Sequence, residues 1–207
     1  MRLSTLLLAV VSITAVPVAR AQAVPFDGHG PTVSKSHPIA LSVGYSAMIS
    51  NAPPGQCGCF LLNGGSGETL FQVWRNIAAV AQFTGEHTGN VPQSQQGLSL
   101  VTYMAGPRYS FLMPRRVTVY GQFLAGRVHG FDTYFPRDDA QPNGFANSLA
   151  FSAGGGAEIG ISDWLSVRTV EAEFLASHMP NDLGGRQRSL RISSGLIFRF
   201  SSNVLNR

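Results

Sequence analysis

Long stretches of this sequence alternate between large apolar residues and small or polar ones. The clearest covers 145–161, where one face carries Phe145, Leu149, Phe151, Ala153, Ala157, Ile159 and Ile161 and the other carries Ser148, Ala150, Ser152, Gly154, Gly156, Glu158 and Gly160. A two-residue period is typical of a β-strand with two different faces. No segment holds a helical period for more than a turn or two. The chain is therefore expected to be all-β.

Eight segments carry this alternation, and most of them are long. Soluble sandwiches favour strands of about 5–6 residues, whereas a tilted strand needs about 9–11 residues to cross a membrane. The predicted strands are 39–49, 60–72, 77–87, 98–111, 117–131, 145–161, 165–176 and 190–200. The second is the weakest, because Asn63–Gly67 interrupts it with glycine and serine.

The composition agrees with a barrel in a membrane. Charged residues make up 13% of the chain, about half the roughly 25% of a typical soluble domain. The polar face consists mainly of Gly, Ser and Ala, which a narrow barrel requires because few side chains fit inside it. We therefore predict a closed, antiparallel, eight-stranded, up-and-down transmembrane β-barrel over 39–200.

The connections between the strands alternate in length. Short ones lie near 73–76, 112–116 and 162–164, and long ones near 50–59, 88–97, 132–144 and 177–189. Outer-membrane barrels have short periplasmic turns and longer external loops. Trp74 and Trp164 both fall at short turns, where an aromatic girdle meets the interface. Ordinary packing at a strand end is the alternative explanation for each tryptophan.

Residues 1–23 have the features of a secretory signal peptide. Arg2 supplies the positive charge, a short apolar core follows, and Ala21-Gln22-Ala23 is a small-x-small cleavage site. We expect cleavage after Ala23, an irregular lead-in over 24–38 and a short tail over 201–207. The apolar core is too short and too interrupted to favour a transmembrane anchor.

The two cysteines, Cys57 and Cys59, lie in the first long connection. In an oxidising compartment we expect them to form a local disulfide, although a single intervening residue makes a strained ring. Two cysteines alone do not provide the four ligands of a structural zinc site.

Four charged residues fall on the small, polar faces of their strands near the short turns. Glu158 and Arg168 face each other across a hairpin centred near Asp163. We predict an ion-pair cluster inside the barrel formed by Arg108, Glu158, Arg168 and Arg199. An arginine facing lipid at mid-membrane costs about 2–4 kcal/mol, and a buried charge without a partner is also penalised. Arginines that extend to the interface are the alternative.

Strand seven does not fit strict alternation. Arg168 and Glu171 differ by three, so Glu171 and Glu173 share a face with Leu165 and Val167. A β-bulge between 168 and 171 would return both glutamates to the polar face.

The sequence also contains the residue types that an active site at the external rim of the barrel would need. Histidines and acids near the long connections, together with Ser177, supply the groups for hydrolysis or acyl transfer: His87, His129, His178, Glu86, Asp132 and Asp182. Three histidines at a rim would also suit a metal. Neither arrangement is specific, because loop histidines are common, so we predict no enzyme site, no metal and no cofactor.

The final strand, Ser193-Ser194-Gly195-Leu196-Ile197-Phe198-Arg199-Phe200, resembles the terminal assembly signal of outer-membrane barrels. The stretch from Tyr103 to Phe111 resembles the fourth strand of the OmpA-like/OprF-like outer membrane β-barrel domain, and Asn63–Gly67 resembles bacterial members of that group. The resemblance implies that the insertion machinery pairs with the last strand through Gly195, Phe198 and Phe200. Seven residues follow Phe200, whereas the family usually ends there.

These observations predict a structural outer-membrane barrel with a largely plugged lumen, in contact with outer-membrane lipids. A narrow pore or carrier, a lipid-modifying enzyme and a soluble lipocalin-like barrel with reversed faces are the alternatives. Scattered basic residues give a net charge of +4 but form no run, which argues against nucleic acid as a partner. The oligomeric state does not follow from the sequence.

Overall fold

The computed structural model describes residues 39–51, 59–91, 96–135, 143–179 and 187–200. They form eight β-strands: β1 Ile39–Asn51, β2 Cys59–Trp74, β3 Ile77–Thr88, β4 Leu98–Met113, β5 Val117–Phe135, β6 Asn143–Gly160, β7 Leu165–Ser177 and β8 Gln187–Phe200. The predicted signal peptide, lead-in and tail lie outside the described residues. Within the described part of the chain, no helix is long and apolar enough to cross a membrane.

Every strand pairs antiparallel with its neighbours in sequence, and β8 pairs with β1 to close the barrel. The closing pair runs from Ile39 opposite Phe200 to Ser50 opposite Ser189. Closure satisfies the hydrogen-bonding groups that an open edge would leave unpaired. The structure confirms the predicted fold.

The two faces of the strands are separated as the alternation predicts. In β6, Phe151 is 49% exposed on the outside of the barrel while the adjacent Ser152 is 1% exposed inside it. Large apolar side chains point outward on all eight strands, and serine, glycine and charged residues lie within the closed sheet. We call the end with the short connections the turn-side end and the opposite end the loop-side end.

The second strand is longer and more regular than predicted. It runs without a break through Asn63–Gly67 and pairs with β1 over that whole stretch. A β-carbon on Gly64 would collide with the carbonyl oxygen of Gly85 in β3. The glycine therefore permits a close approach of two strands, where the sequence pattern had indicated an interruption. Strands β5 and β8 also extend further toward the loop-side end than predicted.

Strand β7 contains the irregularity that its sequence requires. Its register shifts against β6 between Ala157 and Glu158, and against β8 between Arg168 and Glu171. Both Glu171 and Glu173 are 1% exposed, inside the barrel. Strict alternation gave the wrong face for these glutamates, because the extra residue of the bulge reverses the facing after Arg168.

Candidate functional site in the barrel interior

The barrel interior holds two groups of buried charges and a layer of apolar side chains. The turn-side cluster consists of Glu68, Arg108, Glu158, Arg168, Glu171 and Arg199. The loop-side cluster consists of Gln82, Glu86, Thr102, Glu173 and Arg191. The four residues that the sequence predicted to meet all belong to the turn-side cluster.

Glu158 lies where three arginines converge. Its Oε1 accepts hydrogen bonds from Arg108 Nη1 at 3.5 Å and from Arg168 Nη2 at 3.4 Å. Its Oε2 accepts from Arg199 Nη2 at 3.2 Å, while Arg199 Nη1 donates to Ser166 Oγ at 2.6 Å. The Arg199 side chain is 27% exposed, so the cluster reaches the turn-side mouth of the barrel.

Two further glutamates complete the turn-side cluster from other strands. Glu68 in β2 pairs with Arg108, and its Oε2 lies 2.6 Å from Arg168 Nη1. Glu171 accepts from the same Arg168 nitrogen at 2.7 Å and from Ser193 Oγ at 2.9 Å. Arg108 and Arg168 therefore each contact more than one carboxylate, which compensates for the desolvation of the charges.

Gln122 of β5 joins the two clusters. Its side-chain oxygen Oε1 accepts a hydrogen bond from Arg108 Nε at 2.8 Å. Its side-chain nitrogen Nε2 donates to Glu171 at 2.9 Å and to Glu173 at 2.8 Å. Beside it, the Arg108 guanidinium carbon lies 3.9 Å from the centre of the Tyr120 ring, in cation–π contact.

Arg191 organises the loop-side cluster. It forms a two-point contact with Glu86, from Nε to Oε1 at 2.7 Å and from Nη2 to Oε2 at 3.3 Å. Its remaining donors reach Glu173 at 3.3 Å, Gln82 at 3.3 Å and Thr102 at 3.0 Å. The paired geometry matches the planar guanidinium to the carboxylate.

Apolar side chains fill the interior around the loop-side cluster and beyond it, and Met48 lies in register with Arg191. Several are essentially inaccessible to solvent, with Met48, Leu62 and Leu124 at 0% exposure. We call this layer the apolar plug, and it includes Met48, Phe60, Leu62, Leu98, Leu100, Leu124, Val128, Phe135, Leu175 and Met179. The prediction that small residues line the inside of the barrel is thus correct for only part of the lumen.

The two clusters and the apolar plug together occupy the interior of the barrel. The two clusters bring five carboxylates and four guanidinium groups into the barrel, close to electrical balance. The sequence predicted no partners for Glu68, Glu86, Glu171, Glu173 or Arg191. Alternation placed Glu86 and Arg191 on polar faces, but it carries no information about contacts between strands that are far apart in the barrel order.

Two of the predicted rim residues, His87 and Asp132, both contact Ser99, a serine that was not among the predicted candidates. His87 Nδ1 lies 2.9 Å from Ser99 Oγ, and Ser99 Oγ donates to Asp132 Oδ2 at 2.5 Å. A catalytic triad needs the histidine between the serine and the acid, so that the imidazole removes the serine proton. Here the serine lies between the other two, and its proton is directed at the carboxylate.

The other rim candidates are dispersed. His129 Nδ1 contacts Asn147 Oδ1 at 2.6 Å, His178 is exposed beyond the end of β7, and Asp182 lies outside the described residues. Among the residues that the structure covers, no group of three His, Cys, Asp or Glu side chains is placed to hold a metal.

The remaining predicted residues lie at the two ends of the barrel. Cys59 is exposed at the start of β2, while Cys57 lies outside the described residues, so their disulfide stays a prediction. Gly195 and Phe198 pair with residues of β1, and Phe200 pairs with Ile39, the first residue of β1. Phe198 also stacks on Trp164 with ring centres 6.2 Å apart.

No family model matches this chain, and no curated protein matches it in sequence. Solved structures do share its fold. Neisserial surface protein A aligns with a TM-score of 0.60 at 11% identity, over 78% of this chain and 97% of that one. The Yersinia pestis attachment invasion locus protein Ail, solved with the heparin analogue sucrose octasulfate, gives 0.52 at 16% identity, over 78% and 97%.

The outer membrane protein OprG of Pseudomonas aeruginosa aligns with a TM-score of 0.51 at 9% identity, over 81% of this chain and 98% of that one. The chain therefore has the eight-stranded barrel fold that these outer membrane proteins share.

Proposed function

We propose that this protein is a non-enzymatic barrel of the outer membrane, with a plugged lumen and a structural or surface-interaction role. The observation that carries the proposal is the polarity of the barrel, which is the reverse of that of a soluble protein. Its outward face exposes large hydrophobic side chains on every strand, while its centre is ionic. Monomeric soluble proteins rarely expose continuous apolar patches above a few hundred Å².

The same polarity argues against the soluble lipocalin-like alternative. A soluble barrel with an apolar lumen would hold residues such as Phe151 inside and Ser152 outside, the opposite of the observed arrangement. Orientation follows from the connections, since outer-membrane barrels keep short turns on the periplasmic side. We assign the turn-side end to the periplasm and the loop-side end to the cell exterior.

The filled interior counts against the pore. A conducting barrel needs a continuous polar path, but the ion pairs span the lumen and the apolar plug fills the interior around and beyond the loop-side cluster. The serine-centred order of His87, Ser99 and Asp132 counts against a hydrolytic rim site. The surface role is therefore the one that we favour.

Membrane fractionation and a heat-modifiability gel test the proposal. We expect the protein in the outer-membrane fraction, extracted only by detergent, with a folded band in cold SDS that shifts on boiling. Recovery of the folded protein from plain buffer would contradict the membrane location. A change in the mass of lipid A on expression, abolished by His178→Ala, would contradict the non-enzymatic role.

We also propose that the outer-membrane assembly machinery engages the last strand. Phe200 is outward-facing at the turn-side end of β8, next to the first residue of β1. Phe200→Ala is expected to lower the amount assembled in cells several-fold while leaving refolding of the purified chain into detergent unchanged. The matched substitution Phe174→Ala, on the outward face of β7, controls for a general loss of apolar surface. Equal losses for both variants in cells would contradict this role.

A further inference from the structure

A groove of about 720 Å³ crosses the outward face of the barrel from β1 to β5. Three of its lining residues are alanines directly in register on neighbouring strands, and larger side chains rise beside them. The floor and walls include Ala81, Ala105, Ala125, Leu41, Phe83 and Tyr103. The volume falls within the range of about 300–1,000 Å³ found for ligand pockets.

A positively charged side chain, that of Arg127, lies at the loop-side end of this groove. Arg127 follows Ala125 by two residues on the same face of β5 and pairs in register with Tyr103 of β4. Its side chain is exposed and makes no hydrogen bond or ion pair with the part of the chain that the structure describes. The inward-directed arginine of these strands, Arg108, is paired with carboxylates, so Arg127 differs from it in its outward direction and its lack of a partner.

The height of Arg127 on the barrel matches the edge of the membrane. It lies ten residues after Val117, the first residue of β5 at the turn-side end. Tilted strands rise roughly 2.5 Å per residue along the barrel axis, which places Arg127 about 25 Å above Val117. The outward apolar band of such barrels is about 25 Å tall, so the guanidinium is at the level of the headgroups on the loop side.

Polar groups continue above this level. His129 lies two residues further along β5, and its Nδ1 contacts the side-chain oxygen Oδ1 of Asn147 at 2.6 Å. An unpaired guanidinium at the boundary, next to an apolar groove directly below it, complements a ligand with an anionic head and a hydrocarbon tail.

We propose that this face binds one anionic, phosphate-bearing lipid of the extracellular leaflet. An acyl chain lies in the groove over Ala105, and the phosphate contacts Arg127. The site rests on the proposed membrane location of the barrel and adds a preferred lipid at one position of its surface.

Lipid binding to the folded protein in a neutral detergent tests the site. Native mass spectrometry counts bound lipids during titration with dimyristoyl phosphatidylglycerol or with dimyristoyl phosphatidylcholine, which differ only in the headgroup. Arg127→Gln removes the charge, and Ala105→Leu fills the groove. The matched controls are Arg188→Gln, another exposed outward arginine near the loop-side end, and Ala153→Leu, an outward alanine of β6 outside the groove.

We expect the unaltered protein to bind the anionic lipid about five-fold more tightly than the zwitterionic one. Arg127→Gln should abolish that preference and still bind both lipids, whereas Ala105→Leu should weaken both by a similar factor. The two control variants should behave like the unaltered protein.

Three results would overturn the site: equal affinity of the unaltered protein for both lipids, no effect of Ala105→Leu, or an equal loss with Arg188→Gln. The titration uses only protein that shows a heat-modifiable band. A chain without that band contradicts the proposed membrane function, while a heat-modifiable barrel without lipid preference contradicts this site alone.

Discussion

At the scale of single residues, Arg108 contacts more side chains of the barrel interior than any other member of the turn-side cluster. Its donors reach Glu68, Glu158 and Gln122, and its guanidinium lies over the ring of Tyr120. It is 1% exposed. Because water does not replace these contacts, its loss leaves buried carboxylates without sufficient compensation.

Arg108→Met is expected to lower the free energy of unfolding by about 3–5 kcal/mol. Urea titration of the barrel in lipid vesicles, followed by tryptophan fluorescence, measures this. Adding Glu68→Gln should restore part of the loss, since it removes one uncompensated charge. Arg75→Met in an exposed turn is the control and should change stability by no more than about 0.5 kcal/mol. Equal effects at Arg108 and Arg75 would contradict a structural role for the cluster.

The sequence predicted part of this cluster for a definite reason. Glu158 and Arg168 are symmetric about a short turn, so hairpin geometry alone brings them together. Arg108 and Arg199 followed from their faces and their distance from the turns. The contact between Arg191 of β8 and Glu86 of β3 crosses the lumen between non-adjacent strands, and such contacts depend on barrel closure and stagger, which strand patterns do not encode.

At the scale of strands, the bulge in β7 determines which charges enter the barrel. Thr169 and Val170 together stand opposite one residue of β8. This extra residue allows Arg168 and Glu171, three positions apart, to form an ion pair inside the lumen. The sequence indicated the need for a bulge because two glutamates would otherwise face lipid, at a depth-dependent cost.

Deleting Thr169 is expected to preserve the fold. Val170 then takes the outward position between Arg168 and Glu171, so a regular strand keeps both charges inside. Deleting Ala153 from regular β6 should abolish folding, because every residue beyond it changes face. Refolding into detergent, scored by the heat-modifiable band, compares the two deletions. Equal yields for both would show that the bulge does not set the facing of β7.

The seam between β1 and β8 depends on two glycines in register, Gly44 and Gly195. A β-carbon on Gly44 would collide with the carbonyl oxygen of Ser194 across the seam. Gly44→Ala is therefore expected to separate the closing strands and lower the urea midpoint of unfolding. Gly85→Ala provides the comparison, because its β-carbon would meet no atom within 4 Å. A midpoint unchanged by Gly44→Ala would mean that the seam accommodates a methyl group.

At the scale of the whole molecule, the alternation predicted the barrel and its polarity because both follow from the two-residue period of each strand. It did not predict the apolar plug. The plug residues occupy the same face as the small and charged ones, and only the position along each strand separates them. The turn-side cluster lies toward the turns, whereas toward the loops hydrocarbon mixes with the loop-side cluster, since Met48 is in register with Arg191 and Leu100 with Glu86.

Because two chemically different layers close the lumen, the protein is expected to give no single-channel steps in planar bilayers. Ion pairs that satisfy one another leave no free path for water or ions, and the plug excludes water above them. The double variant Leu62→Ala with Leu124→Ala removes side-chain volume from the plug alone, and should remain silent because the charged layers beneath it are intact. Steps from the unaltered protein would favour the narrow pore. Steps from the double variant alone would show that the plug is the barrier and that the ion-pair layers conduct.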